Sequence, residues 1–268
     1  MCGICGILDF KGTVDPAQVS TMVATLVHRG PDARGVYVDG PVGLGHTRLS
    51  IIDLSETGAQ PMSAGDGAAV MTYNGELYNY RDLKRELEAE GVRFAGSSDS
   101  EVVLQAYLRW GPDVFRRFNG IFAVAIWDSR SDQLVLARDR FGVKPLYYHS
   151  DDDRTTFGSE IKALLASKNV DPALDYQALH EFLYFRSPLG DRTMFQGVRA
   201  VEPGSYMTIN RHGTSSQRYW KPSTDLLAVG EDAKGRAKVL SDVLEPIARL
   251  GGGDYLVGGR VISIARPD

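Results

Sequence analysis

The sequence predicts an α+β protein: a sandwich of two antiparallel sheets with helices on the outer faces. Strand patterns outnumber helical ones, and most successive strands are joined by short polar turns, which suits antiparallel pairing. Apolar runs such as 121–127 do not alternate cleanly, so both faces of those strands are expected to be covered.

The elements follow in order. Residues 3–10 read as a buried strand beginning at the third residue, ended by a turn over 9–13. Residues 14–26 form a modest helix with Pro16 in its first turn. Residues 42–52 and 68–73 are apolar or β-branched strands separated by a polar loop containing Gln60-Pro61. The second of them runs into Asn74-Gly75, a pair that favours positive φ and so reads as a turn. A helix over 80–90 has Asn79 as N-cap and stops at Gly91. A second helix over 101–110 follows Ser98-Asp99-Ser100-Glu101, a capping box in which Ser98 and Glu101 exchange bonds with each other's N–H. Strands at 121–127 and 133–137 flank a polar turn, with further strands at 146–149, 155–158 and 205–209 and helices at 161–166 and 176–185.

Composition narrows the function classes. With 268 residues, 43% hydrophobic and 24% charged, the chain is that of a folded globular protein. A formal charge of −4 gives no basic excess with which to hold nucleic acid. The apolar runs fall short of the roughly 18 residues a membrane span needs, and no basic-then-apolar leader opens the chain. Two cysteines, both within the first five residues, point to a reducing compartment, and a cytoplasmic location is expected. Of 25 aromatic residues, 24 precede residue 223, which leaves 223–268 little with which to build a core. The expected organisation is one domain over 1–222 and a linker with the start of another over 223–268.

Chemistry concentrates at the N-terminus. Removal of Met1 leaves Cys2 with a thiol and a free α-amino group on one residue, and that amine can take the thiol proton at neutral pH. Alternatively Cys2 and Cys5 are small buried apolar residues. A redox or zinc role for Cys2-Gly3-Ile4-Cys5 is disfavoured, because the motif sits in a strand pattern and the five histidines have no ligand spacing, so no metal is expected. Asn74-Gly75 offers a side-chain amide beside an unhindered backbone N–H, the donor types an oxyanion needs, although Asn-Gly alone is more often just a turn. Arg48 suits a carboxylate, and Glu76 and Asp99 suit an ammonium. Taken singly, Arg48 and Glu76 read better as surface ion pairs and Asp99 as a helix-dipole partner.

Together these residues resemble the glutaminase domain of glutamine-dependent asparagine synthetases, class II amidotransferases of the N-terminal-nucleophile hydrolase fold. The motifs that carry the resemblance are Met1-Cys2-Gly3-Ile4, His28-Arg29-Gly30-Pro31-Asp32, Arg48-Leu49-Ser50-Ile51-Ile52-Asp53, Asn74-Gly75-Glu76-Leu77-Tyr78-Asn79, Ser98-Asp99-Ser100-Glu101, the run RDRFGVKPLYY from Arg138 to Tyr148, and Ser159-Glu160-Ile161-Lys162-Ala163-Leu164. The resemblance covers residues 1 to about 222. It implies a four-layer αββα sandwich and a reaction in which Cys2 attacks the amide of glutamine, releases ammonia and holds a glutamyl thioester. It further implies that Asn74 and Gly75 stabilise the tetrahedral intermediates. Arg48 would hold the α-carboxylate and Glu76 and Asp99 the α-ammonium, with Leu49, Ser50, Ile51 and Ile52 lining the pocket. The glutaminase step needs no cofactor. ATP and Mg²⁺ are implied only for the synthetase domain, which adenylates aspartate and accepts the ammonia; that domain or subunit, and a homodimer, are the expected protein partners.

The resemblance weakens after residue 222. Ser241-Asp242-Val243 is followed by Leu244 where the family has proline. Leu250 and Tyr255 replace the two serines of the family's pyrophosphate loop around Gly251-Gly252-Gly253-Asp254, and only 13 residues follow Tyr255. A missing or degenerate synthetase half is therefore expected, with a stand-alone amidotransferase subunit or a non-catalytic remnant as alternative readings.

Overall fold

In chain order the elements are β1 (Gly3–Asp9), α1 (Pro16–Thr25), β2 (Ala33–Asp39), β3 (Val42–Arg48), β4 (Met62–Ala64), β5 (Ala69–Leu77), α2 (Tyr80–Ala89) and α3 (Asp99–Trp110). They continue with β6 (Gly120–Asp128), β7 (Gln133–Arg138), β8 (Tyr147–Ser150), β9 (Arg154–Gly158), α4 (Ile161–Ala166), α5 (Tyr176–Phe185), β10 (Val198–Ala200), β11 (Ser205–Asn210) and β12 (Gly213–Arg218). The computed structural model describes residues 1–50 and 55–222, and two short strands at 253–257 and 260–264. The chain divides into two units, Met1–Lys221 and Pro222–Asp268. In the second, β13 (Gly253–Val257) pairs with β14 (Arg260–Ile264), so Asp254 and Tyr255 of the pyrophosphate-loop echo lie in a strand.

The first unit is the expected α+β sandwich. Two six-stranded antiparallel sheets run in the orders β10–β8–β9–β1–β3–β2 and β12–β11–β7–β6–β5–β4. Side-chain alternation along each strand sorts the apolar residues into three layers. Ile4 and Leu8 of β1 meet Leu44, Val70, Ala123, Ala125 and Leu136 between the sheets. Cys5 and Ile7 point the other way, onto Val19, Met22 and Val23 of α1 and Ala163 of α4. Leu83, Leu87, Val102, Val103 and Tyr107 of α2 and α3 cover Met71, Tyr73 and Val124 on the far sheet. Each such fully buried aliphatic side chain contributes roughly 1.5–3 kcal/mol. The result is four layers, αββα, with β1 central in its sheet and buried throughout.

The structure corrects several local expectations. The strand predicted over 42–52 ends at Arg48, because the next two N–H groups leave the ladder: Leu49 N donates to Cys2 Sγ and Ser50 N to Asp32 Oδ2. Asn74-Gly75 is not a turn. β5 runs straight through it, with Asn74 opposite Ala123 and Gly75 opposite Phe122, and neither residue takes a positive φ. Glycine is required there by close approach, since a Cβ would lie 2.5 Å from Ile121 O. The capping box is half formed. Ser98 Oγ accepts from Glu101 N, but the Glu101 carboxylate accepts from Ala95 N and Gly96 N instead of reaching back to Ser98. Asn79 precedes α2 without a capping bond and ties Asn119 N and Arg117 O instead. Strands β2, β4, β10 and β12 were not predicted. β2 and β12 are edge strands whose residues are largely exposed, so no apolar alternation marks them.

Candidate active site

At one end of the gap between the sheets the apolar filling gives way to polar side chains. Even-numbered residues of β1, β3 and β5 face this gap, as Ile4, Leu44 and Val70 show. The same period-2 alternation carries Cys2, His46, Arg48, Thr72, Asn74 and Glu76 to it. Thr72 Oγ1 donates to Gly45 O at 3.1 Å, and His46 Nε2 donates to Tyr73 O at 3.2 Å, both bonds crossing between the sheets. A cleft of about 100 Å³ opens beyond them, lined by Cys2, Arg48, Leu49, Ser50, Asn74, Gly75, Glu76 and Asp99 among others. Eight of the ten sequence-predicted site residues thus share one cleft; Ile51 and Ile52 lie outside the described residues.

Cys2 is held from several sides. Leu49 N–H points at its Sγ at 3.4 Å, and its carbonyl accepts from Arg29 Nε at 2.9 Å. Arg29 in turn pairs with Glu160, which also takes His28 and Lys162. Burial works against ionisation of Glu160, but the bonds from Arg29, His28 and Lys162 outweigh it and hold the carboxyl at about 2. One residue earlier, Ser159 closes both backbone groups of Ile4, accepting from its N at 3.0 Å and donating to its O at 2.8 Å. Gly3 allows the entry of the chain, since a Cβ there would meet Thr47 Oγ1 at 2.6 Å. Cys5 is fully buried under α1, and burial pushes its thiol well above the usual range, so the two cysteines have opposite environments.

Opposite Cys2, Asn74 is 1% exposed and its Nδ2 has no hydrogen-bond partner. A buried, unused donor costs on the order of 1–3 kcal/mol, and this one borders the cleft. In an antiparallel ladder each residue sends its N–H and C=O to the same side. Tyr73 N bonds Gln60 Oε1 and Leu77 N bonds Asp99 Oδ2, both on the side of β5 away from β6. Gly75, midway between them, therefore directs its N–H to that same edge. Asp99 is 6% exposed and accepts from Leu77 N and Tyr73 Oη. Burial raises its pKa above the ordinary aspartate value, partly offset by those two bonds. Arg48 reaches Ser55 O at 2.9 Å. Gln60, Tyr73, Ser98, Ser100 and Lys144 also line the cleft. They were not predicted as site residues, nor were Arg29, Ser159 and Glu160, although all of these except Gln60 and Tyr73 lie inside the quoted motifs.

His46 links the site to stability. Burial depresses its pKa to about 4, against the opposing effect of the Nε2–H bond to Tyr73 O, and the charge of Arg48 adds to the depression; Nδ1 is buried with no partner to receive a second ring proton. The native state favours the neutral ring, so the unfolded chain binds the extra proton between about pH 6.5 and the folded value. Stability is full above that window and falls as pH drops through it, by on the order of 3 kcal/mol. Urea midpoints between pH 7 and 4.5 should show the decline, and His46→Gln should flatten it; equal slopes for both proteins would exclude His46 as its source.

The layered fold, with a cysteine at the start of a central strand and facing the gap between sheets, is the αββα sandwich of the N-terminal-nucleophile hydrolase class. Within that class the chain belongs to the glutamine amidotransferase domain family, whose sequence profile matches residues 1–220. It is 39% identical over 231 residues to asparagine synthetase (glutamine-hydrolyzing) 3 of Bacillus subtilis strain 168, covering 84% of this chain and 37% of the relative. It is 38% identical over 237 residues to asparagine synthetase (glutamine-hydrolyzing) 1 of the same strain, covering 87% and 37%. The chain therefore spans little more than a third of the length of these curated relatives, and is homologous to their glutaminase half. Among solved structures, the glutamine phosphoribosylpyrophosphate amidotransferase from B. subtilis complexed with ADP and GMP shares the fold, with TM-score 0.63 and 22% identity over 82% of this chain and 50% of that one.

Among the described residues no group of three or more His, Cys, Asp or Glu side chains is placed to hold a metal, and no helix is long and apolar enough to cross a membrane.

Proposed function

We propose that the chain hydrolyses free glutamine to glutamate and ammonia through a thioester on Cys2, the ammonia serving a synthetase region or subunit that makes asparagine. The observation that carries this reading is the unpartnered, buried Asn74 Nδ2 across the cleft from Cys2. After Met1 is cleaved, the α-amino group of Cys2 takes the thiol proton and the sulfur adds to the amide carbon. The carbonyl oxygen becomes an oxyanion that accepts from Asn74 Nδ2 and Gly75 N–H. Collapse breaks the C–N bond, and the proton held on the amine goes to the leaving nitrogen, giving ammonia. Water then adds to the thioester with its proton passing to the same amine; the C–S bond breaks, and glutamate leaves from a regenerated thiol.

Specificity for the free amino acid comes from opposite charges at its two poles. Arg48 suits the α-carboxylate, and Asp99 with Glu76 suits the α-ammonium. Asp99 must be ionised for that task, and its raised pKa moves the transition upward. Glutamine KM should therefore rise as pH falls through a value above the ordinary aspartate range near 4. Asp99→Asn should lower kcat/KM by about 10–100-fold and remove this acid limb; an unchanged limb in the variant would take Asp99 out of the site.

The test of the whole reading is intact mass before and after treatment with a glutamine-derived alkylating ketone. Loss of Met1 and one label on Cys2 are expected. A retained Met1, or a label on Cys5, sinks the mechanism.

A further inference from the structure

The side chains of the cleft wall include two cations, Arg48 and Lys144, and two anions, Glu76 and Asp99. Lys144 alone among them has no role in the scheme above. It is 7% exposed, and its ammonium has no hydrogen-bond or ion-pair partner among the described residues. Its Nζ is not among the polar atoms sealed from solvent without a partner, so the ammonium stays open to the cleft and can meet an anionic group that enters it.

Its backbone is fixed on the Asn74–Gly75 side of the cleft. Asp139, 1% exposed, accepts four N–H bonds, from Phe122, Phe141, Val143 and Lys144. One oxygen, Oδ2, takes both Lys144 N and Phe122 N, and Phe122 is the register partner of Gly75. Arg138 Nε donates to Lys144 O at 2.8 Å, completing the clamp. The side chain thus starts two hydrogen bonds away from the strand residue opposite Gly75.

We infer that Lys144 is the counter-charge for negative charge arising at the reacting end of the substrate, and that it holds the side-chain carboxylate of the product glutamate. The inference rests on the glutaminase reading. Bound glutamine is neutral overall, and its two charged poles are matched by Arg48 and by Asp99 with Glu76. Its amide end carries no charge. The tetrahedral adducts and glutamate each place one additional negative charge there; in the adducts the protonated Cys2 amine meets part of it, and Lys144 is the side-chain cation left to meet the rest and the carboxylate of glutamate. A group placed in this way favours the charged states over the substrate, so it acts on turnover and on product binding more than on KM.

The experiment compares two competitive inhibitors of glutamine hydrolysis that differ only at that end: glutamate, and 2-aminopentanoate, which ends in a methyl group. In wild type, glutamate should inhibit at least about 10-fold more strongly, as expected for one charge-assisted bond. Lys144→Met should erase that preference by raising the glutamate Ki about 10-fold or more, with glutamine KM within about 3-fold, and Lys144→Arg should keep it. Equal inhibition by the two compounds in wild type overturns the inference without any variant having to fold. So does a Lys144→Met protein in which KM and the glutamate Ki move by the same factor, as mere neutralisation of Glu76 would produce. If wild type does not hydrolyse glutamine at all, the glutaminase reading itself fails and this inference falls with it; turnover without a glutamate preference removes Lys144 alone.

Discussion

Cys2→Ala should abolish glutamine hydrolysis, a loss on the order of 10⁴-fold or more, while the protein melts at nearly the wild-type temperature. The large effect follows from covalent chemistry: without sulfur there is no thioester, and the remaining donors can only stabilise a charge that no longer forms. The small effect on stability follows from position. Cys2 precedes β1, and among the described residues its sulfur's hydrogen bonds are with the Leu49 backbone, at 3.4 Å and 3.7 Å. Cys2→Ser should also be severely impaired, since a hydroxyl is far harder for an α-amino group to deprotonate than a thiol. Steady-state ammonia release together with thermal unfolding checks both. Substantial turnover by Cys2→Ala would mean that another nucleophile does the work.

Asn74→Ala should lower kcat by about 10²–10³-fold with little change in KM, the signature of a donor that binds the oxyanion more strongly than the ground-state amide. The fold should not weaken in proportion. Asn74 Nδ2 is buried and unbonded, so removing it relieves a desolvation cost of about 1–3 kcal/mol that offsets the small cavity left behind. A catalytic collapse at an unchanged or higher melting temperature is the expected pair of results. If kcat falls only in step with a loss of folded protein, Asn74 is a packing residue.

Much of the fold was legible in the sequence because its central strands are runs of apolar and β-branched residues bounded by polar turns, and its helices carry apolar spacing with start and stop residues such as Ser98 and Gly91. Helices α4 and α5 match the predicted spans 161–166 and 176–185. What was not legible has physical causes. β2 and β12 have solvent on most of their residues and so no alternation to detect. Asn74-Gly75 has a turn's composition, but the pairing with Ala123 and Phe122 overrides that local preference, and the glycine answers to crowding by Ile121 O. At the site, residues at which reaction chemistry needs particular atoms were singled out from sequence. The residues that hold them were not: Arg29, Ser159 and Glu160 fix Cys2 through bonds spanning 27 to 155 positions, and no local pattern encodes such a partnership. Lys144 sits within a quoted motif, yet only the cleft gives its side chain a direction.

The placement of Cys2 at the head of a fully buried central strand has a dynamic consequence. Chain termini ordinarily fray, opening at almost no free-energy cost and on their own timescale. Here Cys2 runs directly into β1, which is paired on both sides and buried along its whole length, the kind of segment that opens late. Cys2, the proposed nucleophile, is therefore expected to open only together with its sheet, so that its alignment lasts as long as the folded state.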